Sequence, residues 1–114
     1  MDGRPPLYDD GKIRCEEHRL AIRWYYPWGT KHIRYTKIKA LRSFRMTKVR
    51  GKLRIWGSGD LVHWFNLDTK RPRKNVAIEI RLHGRIRPTI TPKDPKTVMR
   101  LLEAHTGLAD ESAR

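Results

Sequence analysis

The chain has 114 residues and one cysteine, and its 26 Lys and Arg residues against 12 Asp and Glu residues give a formal net charge of +14. This length is typical of one domain of about 100–150 residues, and no apolar run approaches the roughly 18 residues that a transmembrane helix needs. These features argue against a multidomain enzyme and a membrane-spanning protein, and a single cysteine, which cannot form an internal disulfide, favours a cytoplasmic protein.

The first half of the chain has the period-two alternation of apolar and charged residues that is typical of half-buried antiparallel strands. Its first ten residues contain two prolines and predict a flexible leader. In the strand that follows Glu16 and Glu17, Trp24 has the same parity as Leu20 and Ile22, which predicts that all three side chains face the core. The predicted strands of this half cover residues 12–16, 19–24, 32–35 and about 38–46.

Glycine-rich turns separate the predicted strands of the second half. Gly51 is predicted to turn a hairpin, residues 57–60 form a second turn, and residues 70–74, Lys-Arg-Pro-Arg-Lys, form a basic loop. The predicted strands here cover residues 53–56, 62–67, 76–82 and 86–91. Short strands punctuated by glycine are typical of a β-sandwich or a partly open barrel.

One helix is predicted, near the end of the chain. Asp94 is a suitable N-cap, Pro95 suits the first helical position, and Gly107 stands where a left-handed stop is expected. The apolar stripe at helical spacing consists of Val98, Leu101, Leu102 and His105. Leu101 and Leu102 are predicted to cover an open end of the β-structure.

The positive charge is concentrated in the middle of the chain. From His18 to Gly59 there is no acidic residue, whereas the same span holds 12 bases. Summed positive potential of this kind attracts and holds polyanions, and a solvated basic surface without a ligand is the alternative. The candidate anion-binding residues, around the Gly51 hairpin and in the basic loop, are Arg42, Lys48, Arg50, Lys52, Arg54, Lys70, Arg71, Arg73 and Lys74.

An aromatic run spans residues 24–28 and meets a predicted turn. Tyr25, Tyr26 and Trp28 are the candidate aromatic contact residues. Next to bases, such rings suit a membrane interface, a protein hot spot or base stacking. They equally suit packing over a sheet edge, which needs no ligand.

The sequence carries no signature of catalysis or metal binding. It has no GxSxG elbow, no GxxxxGK[ST] loop and no HExxH motif, and its five histidines show no ligand spacing. Cys15 has the parity of a core residue, as is common for a free cysteine. We therefore predict a protein that is not an enzyme and that has no cofactor and no bound metal.

The order of elements, about seven antiparallel strands and then one capped amphipathic helix, resembles the pleckstrin-homology-like (PH-like) superfold, and more specifically the small bacterial PH-like domains. The stretches that carry the resemblance are Tyr35-Thr36-Lys37-Ile38, Leu53-Arg54-Ile55-Trp56-Gly57 and Ile90-Thr91-Pro92-Lys93-Asp94-Pro95. The resemblance implies a mainly β fold with one C-terminal α-helix. It would form a partly open barrel or β-sandwich over residues 11–107, followed by a flexible tail at 108–114.

The resemblance and the charge together imply a small, non-catalytic binding module. It would dock on an acidic surface, either anionic membrane lipid or an acidic protein, through a broad basic face. Phosphoinositide-binding members carry bases in the loop between their first two strands, where this chain has Glu16 and Glu17, so we expect no specific headgroup pocket there. The implied location is the cytoplasm, with peripheral binding at the inner face of the membrane. Sequence-tolerant nucleic-acid binding and protein assembly without an ionic ligand are the alternatives, and the oligomeric state stays open.

Overall fold

The computed structural model describes residues 5–26, 29–45, 63–65 and 76–113 of the chain. In this part of the chain the strands and the α-helix are β1 Tyr8–Asp9, β2 Ile13–Cys15, β3 Arg19–Tyr26, β4 Gly29–Arg34, β5 Ala40–Arg45, β6 His63–Phe65, β7 Val76–Arg81, β8 Arg87–Ile90 and α1 Pro95–Thr106. Two short 3-10 turns cover Tyr35–Lys37 and Glu111–Ala113. The predicted mainly β architecture with a C-terminal helix is therefore confirmed.

The strands form two four-stranded sheets that are not joined into a closed barrel. The first sheet has the order β1-β2-β3-β4, and each strand in it is antiparallel to its neighbours. In the second sheet, of order β5-β7-β8-β6, β7 is antiparallel to both β5 and β8. The described residues thus contain seven antiparallel strands, in agreement with the predicted number.

Strand β6 is an addition to this antiparallel set. It lies within the predicted strand at 62–67, but it runs parallel to β8. The β7–β8 hairpin separates β5 from β6 in the sheet, so β6 pairs at the far edge, where its neighbour β8 runs in the same direction. The predicted strand at 53–56 and the predicted turns at Gly51 and 57–60 lie outside the described residues.

The hydrophobic core lies between the inner faces of the two sheets and includes one face of α1. Alternate residues of a strand point to opposite faces, so every second side chain is available to the core. The large apolar side chains that are fully buried on the strands are Ile13, Leu20, Ile22, Leu41, Ile78, Ile80 and Ile90. Cys15 is fully buried among them, which confirms its predicted core position. Helix α1 buries Val98, Met99 and Leu102, whereas Leu101 is half-buried against the core.

Both ends of α1 have the predicted caps. The Asp94 side chain accepts hydrogen bonds from the backbone N–H of Thr97 at 3.1 Å and from its hydroxyl at 2.7 Å. Pro95 occupies the first helical turn. Gly107 ends the helix in the left-handed conformation with a φ of 74°, which glycine adopts without the steric cost of a Cβ atom.

Residues outside the predicted 11–107 range also make defined contacts. Strand β1 pairs with β2, and Leu41 on β5 forms an isolated bridge with Asp110. Ser43 donates its backbone N–H to the Asp110 carboxylate at 3.0 Å and its hydroxyl to the other oxygen of the same group. The chain on both sides of the predicted domain limits is therefore attached to the sheets.

The Asp10 carboxylate joins the β1–β2 turn to the segment that precedes α1. One oxygen accepts the backbone N–H groups of Lys12 at 3.0 Å and Ile13 at 2.8 Å. The other accepts the Tyr8 hydroxyl at 2.6 Å and the backbone N–H of Lys93 at 2.8 Å. Burial acts to raise the pKa of this carboxyl, but the four hydrogen bonds outweigh burial and hold the pKa below its usual range.

Substitution of Asp10 by Asn is expected to lower the free energy of unfolding by about 2 kcal/mol, since each hydrogen bond to a charged acceptor contributes about 1.5–3 kcal/mol and an amide offers one acceptor oxygen instead of two. Urea unfolding followed by circular dichroism measures the change. The matched control is Asp9→Asn, which removes an exposed ion pair with Arg23 and should cost less than about 1 kcal/mol. Equal losses in the two variants would contradict the structural role of Asp10.

Acid is expected to destabilise the fold through Asp10 and Asp110. Burial acts to raise the pKa of Asp110, but its hydrogen bonds with Ser43 and Ser112 lower the pKa below the usual value. A carboxyl whose pKa is lower in the folded state than the unfolded value of about 3.9 contributes stability that is present above that unfolded value. This stability is lost as the pH falls through the folded pKa.

The free energy of unfolding should therefore decrease as the pH falls below about 4, because the unfolded state then binds more protons than the folded state. Urea unfolding at a series of pH values between about 7 and 2 measures this loss. The loss should be smaller in Asp10→Asn, which no longer titrates at this position. An identical acid dependence in the variant and the wild type would show that Asp10 is not a source of it.

Candidate anion-binding surface

Three of the predicted site residues lie in the part of the chain that the structure describes: Arg42 on β5, and Tyr25 and Tyr26 at the end of β3. The other candidates lie outside the described residues, and they are Trp28, Lys48, Arg50, Lys52, Arg54, Lys70, Arg71, Arg73 and Lys74. For these nine residues, anion or aromatic contact stays a prediction.

A bulge in β3 exchanges the expected positions of Trp24 and Tyr25. The pairing of β3 with β4 is regular up to Ile22, and its register shifts before pairing resumes at Tyr26. Trp24 has a φ of 58°, and a bulge of this kind displaces the alternation of inward and outward side chains. Tyr25 is consequently buried and Trp24 is 49% exposed. The prediction that Trp24 faces the core is therefore wrong, and Tyr25 is not exposed for a surface contact.

The side chains of the two tyrosines at this end of β3 contact a lysine. The rings of Tyr25 and Tyr26 meet edge to face, with centroids 4.9 Å apart. Lys31 on β4 places its ammonium 5.3 Å from the centroid of Tyr25 and donates a hydrogen bond of 3.3 Å to the Tyr26 hydroxyl. Burial raises the pKa of Tyr25 above its usual range, so its ring stays neutral and attracts the cation through its π-face. Lys31 is thereby positioned on the hairpin that carries Trp24.

The face of the first sheet that points away from the core is basic. Directly opposite residues of neighbouring antiparallel strands share a face, and so do alternate residues of one strand. Arg14 lies opposite Ala21, and Ala21 lies opposite His32, which defines the face. The residues of this outer basic face are Asp9, Arg14, Arg19, Ala21, Arg23, His32 and Arg34.

Two carboxylates neutralise part of the outer basic face. Arg23 Nη2 lies 3.3 Å from Asp9 Oδ2. Glu16, in the turn between β2 and β3, lies 3.1 Å from Arg14 Nε and 2.6 Å from Arg19 Nε. Four arginines against these two carboxylates leave a surplus of two positive charges.

Arg34 is an exposed arginine of this face and has no ion pair with any residue that the structure describes. It lies directly opposite Arg19 across β3 and β4, and like charges in this position destabilise a strand pair. Lys37 and Lys39, which are also exposed, follow Arg34 along the chain. An anion over Arg19 and Arg34 would offset the repulsion between them.

The outward face of the second sheet holds a buried carboxylate. Glu79 on β7 is 2% exposed and lies opposite Arg42 on β5. Arg42 Nε is 3.6 Å from one Glu79 oxygen, and Arg87 Nη1 on β8 is 3.4 Å from both oxygens. The Arg42 guanidinium also lies over the Phe44 ring, 5.5 Å from its centroid. The predicted anion-binding residue Arg42 is thus held in place by a carboxylate and a ring.

The buried titratable groups of the first sheet belong to the core. Burial raises the pKa of the Cys15 thiol to about 12, with a smaller contribution from the Asp10 carboxylate, so the thiol is protonated at neutral pH. Tyr35 is buried and donates its hydroxyl to the Glu16 carbonyl at 2.6 Å. Within the described ranges, no group of three or more His, Cys, Asp or Glu side chains is arranged to hold a metal ion.

Sequence reasoning missed Arg19, Arg34 and Arg87 as members of charged clusters. The alternation along β3 and β4 signals that Arg19 and Arg34 lie on a solvated face, but only the pairing register places them opposite each other. No pattern in the sequence predicts the contact of Arg87, because its partner Glu79 lies eight residues earlier on a neighbouring strand.

The chain matches no protein-family model, and comparisons with curated proteins and with solved structures find no match either. In the part of the chain that the structure describes, no helix is long and apolar enough to cross a membrane. A function for the chain therefore has to be argued from its own charge, burial and geometry.

Trp24 and Tyr25 are expected to respond differently to substitution. Tyr25→Ala should lower the free energy of unfolding by about 3 kcal/mol, because it removes a buried aromatic side chain. Trp24→Gly should leave the free energy unchanged or raise it by up to about 1 kcal/mol, because glycine adopts a positive φ without strain. Urea unfolding of the two variants measures both effects. A loss larger than about 1 kcal/mol in Trp24→Gly would contradict the bulge as the origin of the exposed ring.

Proposed function

We propose that this protein is a non-catalytic, PH-like binding module that docks on an anionic membrane surface through the outer basic face. It acts in the cytoplasm and binds peripherally at the inner face of the membrane. The observation that carries the proposal is the position of Arg19 directly opposite Arg34. Glu16 is shared between Arg14 and Arg19 and compensates only one of their two charges. The remaining like charge disfavours the pair, and a layer of negative charge over the face would offset this repulsion.

The shape of the outer basic face suits a dispersed anionic surface. At its centre lies Ala21, a small residue that is 3% exposed, between the longer side chains of the neighbouring strands. The bases are therefore spread around a small residue and are not gathered at one point. Each Lys or Arg near an anionic leaflet contributes about 1 kcal/mol to binding, so several separated bases match several separated headgroups.

Trp24 favours a membrane over other polyanions. Its backbone conformation costs a bulky residue about 1–3 kcal/mol, yet its side chain is exposed beside Arg23 of the outer basic face. Tryptophan is enriched at the membrane interface, where its ring lies at the depth of the headgroups. An exposed ring that adjoins a basic face has the two properties that interfacial binding needs.

The turn between β2 and β3 supports docking without headgroup specificity. Glu16 lies against Arg14 and Arg19, and Glu17 lies 3.8 Å from His18 Nε2. Phosphoinositide-binding PH domains carry bases in the equivalent loop, whereas two carboxylates here would repel an inositol phosphate. The proposed binding therefore depends on the amount of negative charge and not on the identity of the headgroup.

Cosedimentation with lipid vesicles tests the proposal. The chain should bind vesicles that contain phosphatidylserine and should not bind vesicles of phosphatidylcholine alone. The double variant Arg19→Glu/Arg34→Glu should bind at least about thirtyfold more weakly, because two bases that contribute about 1 kcal/mol each are lost. The matched control is Lys96→Glu/Arg100→Glu, which makes the same change of charge at two exposed positions of α1 and should lose clearly less affinity.

Two results would overturn the proposal. One is equal binding to both kinds of vesicle, and the other is an equal loss of affinity in the two double variants. A parallel titration with duplex DNA identifies the competing function. Binding to DNA that is tighter than binding to vesicles, with a log–log salt slope of about −0.9 for each neutralised phosphate, would indicate sequence-tolerant nucleic-acid binding instead.

A further inference from the structure

We propose that Arg42, Arg81 and Arg87, on the outward face of the second sheet, form a separate site that binds a phosphate group. The ligand class is a compact oxyanion, either the phosphate ion or a phosphate monoester. The outer basic face belongs to the first sheet, so this site does not depend on the proposed membrane docking.

The strand register places three arginines and one carboxylate on the same face of the second sheet. Arg42 lies directly opposite Glu79 across β5 and β7, and Arg81 follows Glu79 by two residues on β7. Thr89 on β8 also lies opposite Glu79, and Arg87 precedes Thr89 by two residues. Alternate residues and directly opposite residues share a face, so the three arginines and Glu79 emerge from one patch of the sheet.

Glu79 positions two of these guanidiniums from beneath. Its side chain is buried, and it approaches Arg87 Nη1 at 3.4 Å and Arg42 Nε at 3.6 Å. The side chains of Arg42 and Arg87 nevertheless remain 39% and 33% exposed. A guanidinium has five N–H donors, so both arginines retain donors that Glu79 does not use. Phe44 supports the Arg42 guanidinium through its ring.

Two buried donors of the patch lack an acceptor. The Nε atoms of Arg42 and Arg81 are buried and make no hydrogen bond in the part of the chain that the structure describes. The 3.6 Å between Arg42 and Glu79 is an ion-pair distance and is too long for a hydrogen bond. A buried donor without an acceptor is costly, and more so for a charged group. An oxyanion that reaches these atoms would supply the missing acceptors.

The charge of the patch also matches a phosphate group. Among the described residues, three arginines share this face with one carboxylate and leave a surplus of two positive charges. A phosphate monoester carries about −1.5 to −2 at neutral pH, and guanidinium pairs with its oxygens through two parallel hydrogen bonds. A carboxylate ligand would offer only two oxygens to three arginines. The number of donors and the surplus charge therefore favour phosphate.

Isothermal titration of the full chain with inorganic phosphate, at constant ionic strength set by chloride, tests the site. We expect saturable binding that chloride does not reproduce. Arg81→Gln should weaken it about tenfold or more, as the loss of a hydrogen bond between charged groups implies. Arg81 contacts no described carboxylate, so the fold of this variant should persist, which circular dichroism verifies. Arg87→Lys keeps the charge but loses the planar fork and should also weaken binding.

The matched control is Arg100→Gln, at an exposed position of α1 outside both proposed sites, which should bind phosphate as the wild type does. Absence of saturable binding, or an equal loss in Arg100→Gln and Arg81→Gln, would overturn the site. Titrations with glycerol phosphate and with vesicles that contain phosphatidic acid distinguish a soluble ester from a lipid headgroup as the source. Because the membrane test depends on Arg19 and Arg34, the two proposals can fail independently.

Discussion

Asp10 joins the β1–β2 turn to the segment that precedes α1, because its carboxylate accepts hydrogen bonds from that turn and from the backbone of Lys93, 83 residues away. Tyr8 extends the contact, since its hydroxyl donates to Asp10 and accepts the backbone N–H of Asp94 at 3.1 Å. Asp94 in turn caps α1. Hydrogen bonds to a partly buried carboxylate are among the strong ones in proteins. The start of the helix, and with it the burial of Leu102 in the core, is therefore tied to one acidic side chain.

The packing of two sheets around one core also determines where the charged side chains lie. The inner faces hold the aliphatic side chains, so the bases of the strands are left on the two outward faces. On the first sheet the neutralising carboxylates, Asp9 and Glu16, are in or next to turns, and Arg19 and Arg34 face each other between strands. On the second sheet the carboxylate of Glu79 is buried beneath arginines. One face thus presents dispersed charge to a surface, and the other concentrates charge around one point.

Local patterns predicted the fold where local chemistry decides it. Asp94 and Gly107 delimit α1 because capping depends on residues within one turn of the helix end. The parity of Cys15 was sufficient to predict that its side chain is buried, because β2 pairs with β3 without irregularity. The same reasoning failed at Trp24, since a bulge depends on how β3 pairs with β4 and not on the alternation within β3 alone. Of the predicted site, only a minor part lies among the described residues, and there Arg42 was selected for its charge without its partner Glu79.

The sequence by itself determined the mainly β class, the capped helix, the buried cysteine and the concentration of bases between His18 and Gly59, because periodicity, capping and charge are properties of neighbouring residues. Only the tertiary structure decided which bases meet. Strand order and register relate segments that are distant in the chain, and a shift of one residue moves a side chain to the opposite face. That dependence places Arg34 opposite Arg19, puts three arginines on one face with Glu79, and turns Trp24 outward while Tyr25 enters the core.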